Sequence, residues 1–204
     1  TLVRLVSMLE RPDEGEVWYG DKRVDNLSKK DLIEERRKIG MIFQNFNLFS
    51  SRTAAENIAY PMEICRKPKD WIKKRTEELL ALVGLEGRGN AAVSTLSGGQ
   101  KQRLSIARAL SKKANIYIFD DTFSALDYKT DAKLRKALSE MIAETKATVF
   151  IVAQRISTIK HADQIIVLDK GRIAGIGKHD ELLKNCDVYR EIAKSQLSQE
   201  ELNK

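Results

Sequence analysis

Apolar and polar positions along the chain change between helical and strand-like spacing. Apolar residues recur with a helical period in several segments, whereas short continuous apolar runs between polar residues favour strands. Turns at Gly20-Asp21 and at 169–172 indicate two β-hairpins. The predicted helices are 1–9, 31–38, those of the block 52–90, one beginning near Ser97, 129–144 and the tail from 179, and the predicted strands are 16–19, 22–24, 39–43, 116–119, 148–153 and 164–168.

The order of these elements predicts the fold class. Beyond Ser97 the strands and helices alternate, and such alternation favours a parallel sheet covered by helices. A chain of 204 residues is long enough for one domain with a full core, or for one domain and a small subdomain. The sequence therefore predicts an α/β fold.

Composition narrows the possible functions. Hydrophobic residues make up 42% and charged residues 32% of the chain, as in soluble globular proteins. No apolar run approaches the roughly 18 residues that span a bilayer, so a role at a membrane would depend on a partner chain. The net charge is +7, but basic and acidic residues are mixed and aromatic residues make up only 6%, so we expect no nucleic-acid partner. Cys65 and Cys186 lie too far apart in sequence for a metal motif, which fits a reducing cytosol.

The run Ser97-Gly98-Gly99-Gln100 precedes a predicted amphipathic helix. Glycines let the backbone approach a phosphate closely, because no Cβ intervenes, and the serine adds a hydroxyl donor. The positive end of the helix would face the same phosphate. An ordinary glycine turn is the alternative explanation for the run taken alone.

A second chemical feature follows about sixteen residues later, where a buried strand ends in Asp120 and Asp121. An apolar strand that ends in carboxylates is a common way to hold Mg²⁺ beside a nucleotide. A strand-ending aspartate that caps a helix is the structural alternative for Asp120. Together with the glycine run, this pair favours a nucleotide site.

The glycine run and the strand with its aspartate pair resemble the signature motif and the Walker B strand of ATP-binding-cassette (ABC) ATPases, the nucleotide-binding domains of ABC transporters. The resemblance covers essentially all 204 residues. The run 41–49 is similar to the family's Q-loop region, and 124–127 is similar to its D-loop. The implied fold is a P-loop NTPase-like core with a parallel sheet and an inserted helical subdomain. The implied division is 1–51 for the first part of the core, 52–95 for the helical subdomain and 96–204 for the signature helix, Walker B and the rest of the core.

The resemblance also implies ligands and residue roles. The ligands would be ATP and Mg²⁺. Asp120 would bind Mg²⁺, Gln44 would contact Mg²⁺ and the attacking water, and Asp121 and Gln154 would occupy the positions that support hydrolysis. In the family two domains enclose two ATP molecules, and each domain lends its signature to the nucleotide bound by the other. The further residues expected at nucleotide are Thr1, Ser97, Gly98, Gly99, Gln100 and Asp127.

Two of these positions depart from the family pattern. Asp121 stands where the family usually has glutamate, and its shorter side chain reduces the reach that a general base needs. Gln154 stands where the family places its switch histidine, and glutamine cannot carry a proton at neutral pH. Gln154 could also be only a polar residue that ends a strand. Both changes affect hydrolysis, so the resemblance implies a degenerate hydrolytic site, as in one half of heterodimeric exporters.

The phosphate-binding run G-x-x-x-x-G-K-[ST] does not occur in the 204 residues. Residues 1–5 are similar to the segment that directly follows this run in the family, with Thr1 as its second hydroxyl residue. We therefore expect that the N-terminal part of the domain is missing, by truncation or naturally. Exposed apolar edges and low stability would follow, because that part normally supplies strands of the sheet.

The two halves of the chain resemble different subfamilies. Residues 11–96 are similar to importer ATPases of the methionine and amino-acid class, whereas the chain from Ser111 onward is similar to the degenerate half of a heterodimeric exporter. The expectation is a hybrid with a crossover at the shared signature.

The resemblance implies a nucleotide-binding domain that couples ATP binding and hydrolysis to transport. Its partners would be a second ABC ATPase domain and transmembrane subunits, which would hold it at the cytoplasmic face of the cell membrane. The alternative is a non-hydrolysing regulatory module that lends its signature to a competent ATPase. A soluble ABC ATPase that acts on ribosomes or DNA is less favoured, because this chain has neither tandem cassettes nor a long coiled-coil insertion.

Overall fold

A computed structural model describes residues 2–121, 136, 139–140 and 144–197 of the chain. These residues form two compact units, a first unit within 1–152 and a second unit within 153–204. The first unit contains α1 (Leu2–Val6), β1 (Trp18–Tyr19), β2 (Lys22–Arg23), α2 (Lys29–Arg37), β3 (Ile39–Ile42), α3 (Ala54–Ile64), α4 (Lys69–Leu82), a 3₁₀ turn (Val93–Thr95), α5 (Gly98–Leu110), β4 (Ile116–Asp120) and β5 (Thr148–Val152). The second unit contains α6 (Ile156–Ile159), β6 (Ile165–Asp169), β7 (Arg172–Gly177), α7 (His179–Asn185) and α8 (Asp187–Gln196).

A parallel three-stranded sheet in the order β3-β4-β5 is the centre of the first unit. Ile42 pairs with Phe119, and Asp120 pairs with Val152, so the carboxyl ends of the three strands lie at one edge of this sheet. β3 and β4 fit closely because Gly40 has no side chain. A Cβ there would lie 2.6 Å from the ring of Tyr117, which is fully buried.

Three helices share one hydrophobic core with this sheet. α3 packs against α4 and α5, and the core includes Ile58 of α3, Leu79 of α4 and Leu104 of α5, all fully buried. The start of α3 is fixed by Thr53, whose hydroxyl accepts from the amide of Glu56 while the Glu56 carboxylate accepts from the Thr53 amide. The helical block predicted for 52–90 is therefore confirmed as α3 and α4, packed on the helix that begins after Ser97.

The N-terminal region of the first unit has a small core of its own, formed by Met8, Val24 and Leu32. Glu35 of α2 lies beside it with 5% of its surface exposed, and its carboxylate accepts from the ammonium groups of Lys22 and Lys38. These hydrogen bonds hold the pKa of Glu35 below its usual value, more strongly than burial raises it. The ion pairs tie the β1–β2 hairpin to α2.

The second unit is a hairpin packed against helices. β6 and β7 pair antiparallel around the predicted turn, and α7 and α8 cover one face of the hairpin, where Val167, Leu182 and Tyr189 are buried. Four other positions of the hairpin are apolar but exposed, namely Ile166, Leu168, Ile173 and Ile176. The unit therefore presents an apolar strand surface in the part of the chain that the structure describes.

Most predicted elements are confirmed, with boundaries shifted by a few residues. β6 differs from the expectation, because it pairs with β7 and lies in a two-stranded sheet, apart from the parallel sheet. The hairpin turn that directly follows β6 makes its neighbour in sequence its partner in space. The predicted helix 129–144 lies largely outside the described residues.

One outer strand of the described parallel sheet carries exposed apolar side chains. β5 ends the described sheet, and the side chains of Phe150 and Val152 on it are more than one-third exposed. Low stability and the division at 51 and 95 stay predictions. Within the described ranges, none of the helices is both long and apolar enough to cross a membrane.

Candidate functional site

The N-terminus of α5 is built by the predicted glycine run. Ser97 is the cap: its hydroxyl accepts from the amide of Gln100 at 3.3 Å, and the Gln100 side-chain oxygen accepts from the Ser97 amide at 2.9 Å. This reciprocal pair fixes the first turn of a helix of 13 residues. Gly98 and Gly99 form the first two helical positions.

The surroundings of these glycines fit an anion. A Cβ added to Gly98 or Gly99 would meet no heavy atom within 4 Å, so space is open above both. The first amides of a helix have no acceptor within the helix, and the Ser97 hydroxyl keeps its hydrogen to donate. Donors and the positive end of the helix dipole point to an anionic ligand such as a phosphate group. This donor set fits the phosphates of ATP.

Carboxylates lie at the carboxyl edge of the parallel sheet. Asp120 ends β4 and is half-buried, and Asp121 follows it with a left-handed backbone at φ 46°. The Asp121 amide donates to the carbonyl of Val152 on β5 at 3.1 Å, which holds the turn in place. Gln44 is exposed and lies two residues beyond Ile42, the last residue of the neighbouring strand β3. The register therefore brings Gln44 and the aspartate pair to the same edge, as the sequence predicts.

The oxygen groups at this edge fit Mg²⁺ in kind, since the ion prefers carboxylate and amide oxygens and takes its other ligands from water and substrate phosphates. Among the residues that the structure describes, no group of three or more His, Cys, Asp or Glu side chains is placed to hold a metal alone. If Asp120 holds Mg²⁺ there, water and phosphate oxygens would supply the remaining ligands.

Gln154 is exposed and belongs to the second unit. Its carbonyl accepts from the side-chain amide of Gln196 in α8 at 2.8 Å, and the oxygen of the same amide accepts from the Ile156 amide at 2.9 Å. One glutamine of α8 thus holds the backbone on both sides of Arg155. The sequence offered no signal for this contact.

The loop after Gln44 is held by Arg108, a residue that the sequence analysis did not single out. The guanidinium of Arg108 donates to the carbonyl of Asn47 at 2.5 Å and to that of Phe46 at 2.9 Å. Both loop residues have left-handed backbones, at φ 47° and 59°. A basic residue among the apolar positions of α5 was the available sequence signal.

Asn57 holds the other end of this loop from inside the core. It is fully buried, its oxygen accepts from the Phe49 amide at 2.9 Å, and its amide group donates to the carbonyls of Phe49 and Thr53 at 3.1 and 3.0 Å. Phe49 also packs edge-on against Tyr60, with the Arg52 guanidinium 4.5 Å from the Tyr60 ring centre. The loop between the sheet and α3 is thus fixed by side chains from two helices.

Thr1 and Asp127 lie outside the described residues. His161 is exposed, whereas His179 is half-buried and its Nδ1 lies 2.8 Å from the Tyr189 hydroxyl. A surface pocket of about 680 Å³ beside α2, lined by residues such as Met8, Leu32 and Arg36, contains none of the predicted site residues.

Comparison with known proteins gives the chain a family. The chain matches the ABC transporter family over residues 1–124. It is 44% identical over 179 residues to the methionine import ATP-binding protein MetN 2 of Bacillus cereus, covering 87% of this chain and 53% of that protein. The MetN protein of Rhodospirillum rubrum is also 44% identical over 179 residues, with 87% of this chain and 51% of that protein covered.

A solved structure is similar as well. The ATP-binding cassette MJ0796, in a dimeric post-hydrolysis state bound to ADP and Pi, superimposes with a TM-score of 0.80 at 34% identity, covering 87% of this chain and 78% of that one. The α/β fold with a parallel sheet is therefore confirmed. The chain spans about half the length of the curated relatives it matches.

Proposed function

Because the chain belongs to the ABC transporter ATPase family, we propose that it acts as a nucleotide-binding domain, coupling ATP binding and hydrolysis to transport across a membrane. The observation that carries this proposal is the N-terminus of α5. Its capped first turn presents open glycine backbone and a serine hydroxyl, with 13 residues of helix behind them. These groups favour the binding of a phosphate group that belongs to a nucleotide held by a second domain.

Each residue of the proposed site has a separate task. Ser97, Gly98 and Gly99 donate hydrogen bonds to phosphate, and Gln100 holds the cap that aims them. At the sheet edge Asp120 would hold Mg²⁺, and the ion would supply positive charge to neutralise the phosphates. Gln44 orients the attacking water beside it.

Thr1 and Asp127 stay predictions of nucleotide and interface contacts. Both rest on the family resemblance, because neither lies among the described residues.

We further propose that hydrolysis at this chain's own site is weak. Asp121 is one methylene shorter than glutamate, which is about 1 Å of reach, and a misplacement of that size costs about a hundredfold in rate. Gln154 can donate and accept hydrogen bonds but cannot take up a proton. Both positions lack the group best suited to hydrolysis.

The proposed partners are a second ABC ATPase domain and transmembrane subunits, which would place the chain at the cytoplasmic face of the cell membrane. The names of the curated relatives make methionine import the first transport activity to test. The likeness of the second half to an exporter, and hence a hybrid origin, stays a prediction. The match to the methionine import ATP-binding protein of Bacillus cereus covers 179 residues of the chain, so it continues into the half from Ser111 onward.

A second candidate is a non-hydrolysing module that lends its signature to a competent ATPase. Asp121 and Gln154 favour it, because both changes weaken hydrolysis while the α5 N-terminus is fully formed.

ATP turnover of the protein as its gene encodes it, assembled with its transporter, separates the two candidates. Weak Mg²⁺-dependent turnover that rises about a hundredfold in the variant Asp121→Glu with Gln154→His supports a degenerate ATPase. No turnover in either form, with retained stimulation of a partner ATPase, supports the module. The absence of both ATP turnover and stimulation of a partner ATPase would refute both candidate functions.

A further inference from the structure

Arg108 connects two parts of the proposed site that are far apart in sequence. It lies in the last turn of α5, and its two terminal nitrogens donate to consecutive carbonyls, those of Asn47 and Phe46, which are 61 and 62 residues away. The same helix begins at the phosphate-binding turn. The helix α5 therefore has the signature turn at its start and contacts the loop after Gln44 near its end. Eleven residues of helix separate the two points by roughly 16 Å.

The loop needs such a support. Phe46 and Asn47 are consecutive non-glycine residues with left-handed backbones, a conformation in which side chains crowd the main chain. The two carbonyls point to the same guanidinium, so the hydrogen bonds hold the strained pair in one conformation. Gln44 lies two residues before Phe46 in the same loop, so a change in the position of this bend is close enough in sequence to shift Gln44.

The chemistry of arginine suits this contact. The guanidinium is a planar fork whose donors match two neighbouring oxygens, whereas a lysine ammonium offers no such fixed pair. The Arg108 guanidinium also lies 5.9 Å from the centre of the Phe49 ring, so an aromatic face limits its movement. Burial lowers the pKa of Arg108, yet an arginine stays charged at neutral pH.

We propose that Arg108 is a positioning residue that transmits the state of the signature turn to Gln44. Binding of phosphate at Ser97 in one nucleotide site moves or steadies α5, and Arg108 passes that change to the loop carrying Gln44, which serves the other site. This inference rests on the proposed function, since it requires nucleotide at the α5 N-terminus.

The test measures amide hydrogen exchange with and without Mg-ATP, using the protein as its gene encodes it. Two segments are followed: 97–101 reports on the signature turn and 44–49 on the loop. The variants are Arg108→Met, Arg108→Lys and the matched control Arg52→Met. The Arg52 guanidinium also lies over the Phe49 and Tyr60 rings, but its hydrogen bond goes to the carboxylate of Glu63. The backbone amide of Arg52 donates to the Phe49 carbonyl, and the substitution leaves that bond in place.

The proposal predicts that ATP slows exchange in both segments of the unchanged protein and of Arg52→Met. In Arg108→Met, ATP still slows exchange in 97–101, but the response of 44–49 falls at least about fivefold, which is the scale of an ordinary coupling energy. Arg108→Lys gives an intermediate loss, because one carbonyl at most keeps its donor.

An equal loop response in Arg108→Met and the unchanged protein would overturn the proposal while leaving the proposed function intact. A lack of any ATP response in 97–101 of the unchanged protein would instead overturn the proposed function, and this inference with it. If Arg108→Met loses structure, the lysine variant and the ratio of the two segment responses decide the matter, because unfolding speeds exchange in both segments alike.

Discussion

Replacing Asn57 by alanine tests how the loop after β3 is held. The Asn57 side chain is fully buried in α3 and joins the helix to the loop through its oxygen and its amide group. The amide group has two hydrogens for three nearby carbonyls, and the contact to the Arg52 carbonyl is the longest, at 3.4 Å. Three effective hydrogen bonds are therefore lost in the variant.

Each such bond contributes about 1 kcal/mol net, so the free energy of unfolding falls by about 3 kcal/mol. For a chain of this size the melting temperature drops by roughly 6–12 °C. Both tryptophans of the chain, Trp18 and Trp71, lie in the first unit, so a urea titration followed by their fluorescence reports on this unit.

Asn45→Ala is the matched control, because Asn45 lies in the same loop but is exposed. Its free energy of unfolding changes by no more than about 0.5 kcal/mol. A loss below about 1 kcal/mol in Asn57→Ala, or an equal loss in both variants, would refute the assignment of Asn57 as the anchor of the loop.

Two further substitutions test the packing. Gly40→Ala places a Cβ 2.6 Å from the ring of Tyr117, whose hydroxyl is held by the Lys112 carbonyl and the Ala114 amide. The free energy of unfolding, measured with urea, therefore falls by about 1–3 kcal/mol. Unchanged stability would contradict the close fit of β3 and β4. Glu35→Gln removes a carboxylate whose pKa is lowered by its hydrogen bonds to Lys22 and Lys38. The contribution of this carboxylate to the free energy of unfolding is complete above the unfolded-state pKa of about 4.3, and it is lost as pH falls through the lower folded-state pKa. The stability difference between Glu35→Gln and the unchanged protein therefore stays constant from pH 7 to about pH 5 and shrinks below pH 4; a difference that grows on acidification contradicts the ion pairs.

The sequence predicts the local elements well because their signals are local. Ser97 with Gln100 three residues later is a capping pattern, and α5 begins where that pattern places it. The run from Ile116 ends in Asp120, and β4 ends there too. The parallel direction of β3, β4 and β5 agrees with the predicted alternation of strands and helices. β6 instead pairs with β7, because a tight turn follows it.

Contacts between distant residues could not be predicted in this way. Arg108 lies 62 residues from its acceptor Phe46. Asn57 lies eight residues from Phe49, but it reaches back from α3 to the loop before the helix. In neither case does the immediate sequence specify the acceptor. The left-handed backbones at Phe46 and Asn47 likewise could not be predicted, because neither position is a glycine. Only the packing of α3 and α5 against the loop brings these groups together.

The central claim is that the α5 N-terminus binds the phosphate of a nucleotide. Gly99→Ala tests it most directly, because the added Cβ meets nothing in this chain and alanine is a better helix former than glycine. ATP turnover and ATP-dependent association should be measured in the protein as its gene encodes it, beside its melting temperature. If the α5 N-terminus binds phosphate, Gly99→Ala has an unchanged or slightly higher melting temperature and loses at least about tenfold in ATP-dependent association or turnover. Unchanged association and turnover, at an unchanged melting temperature, would contradict it.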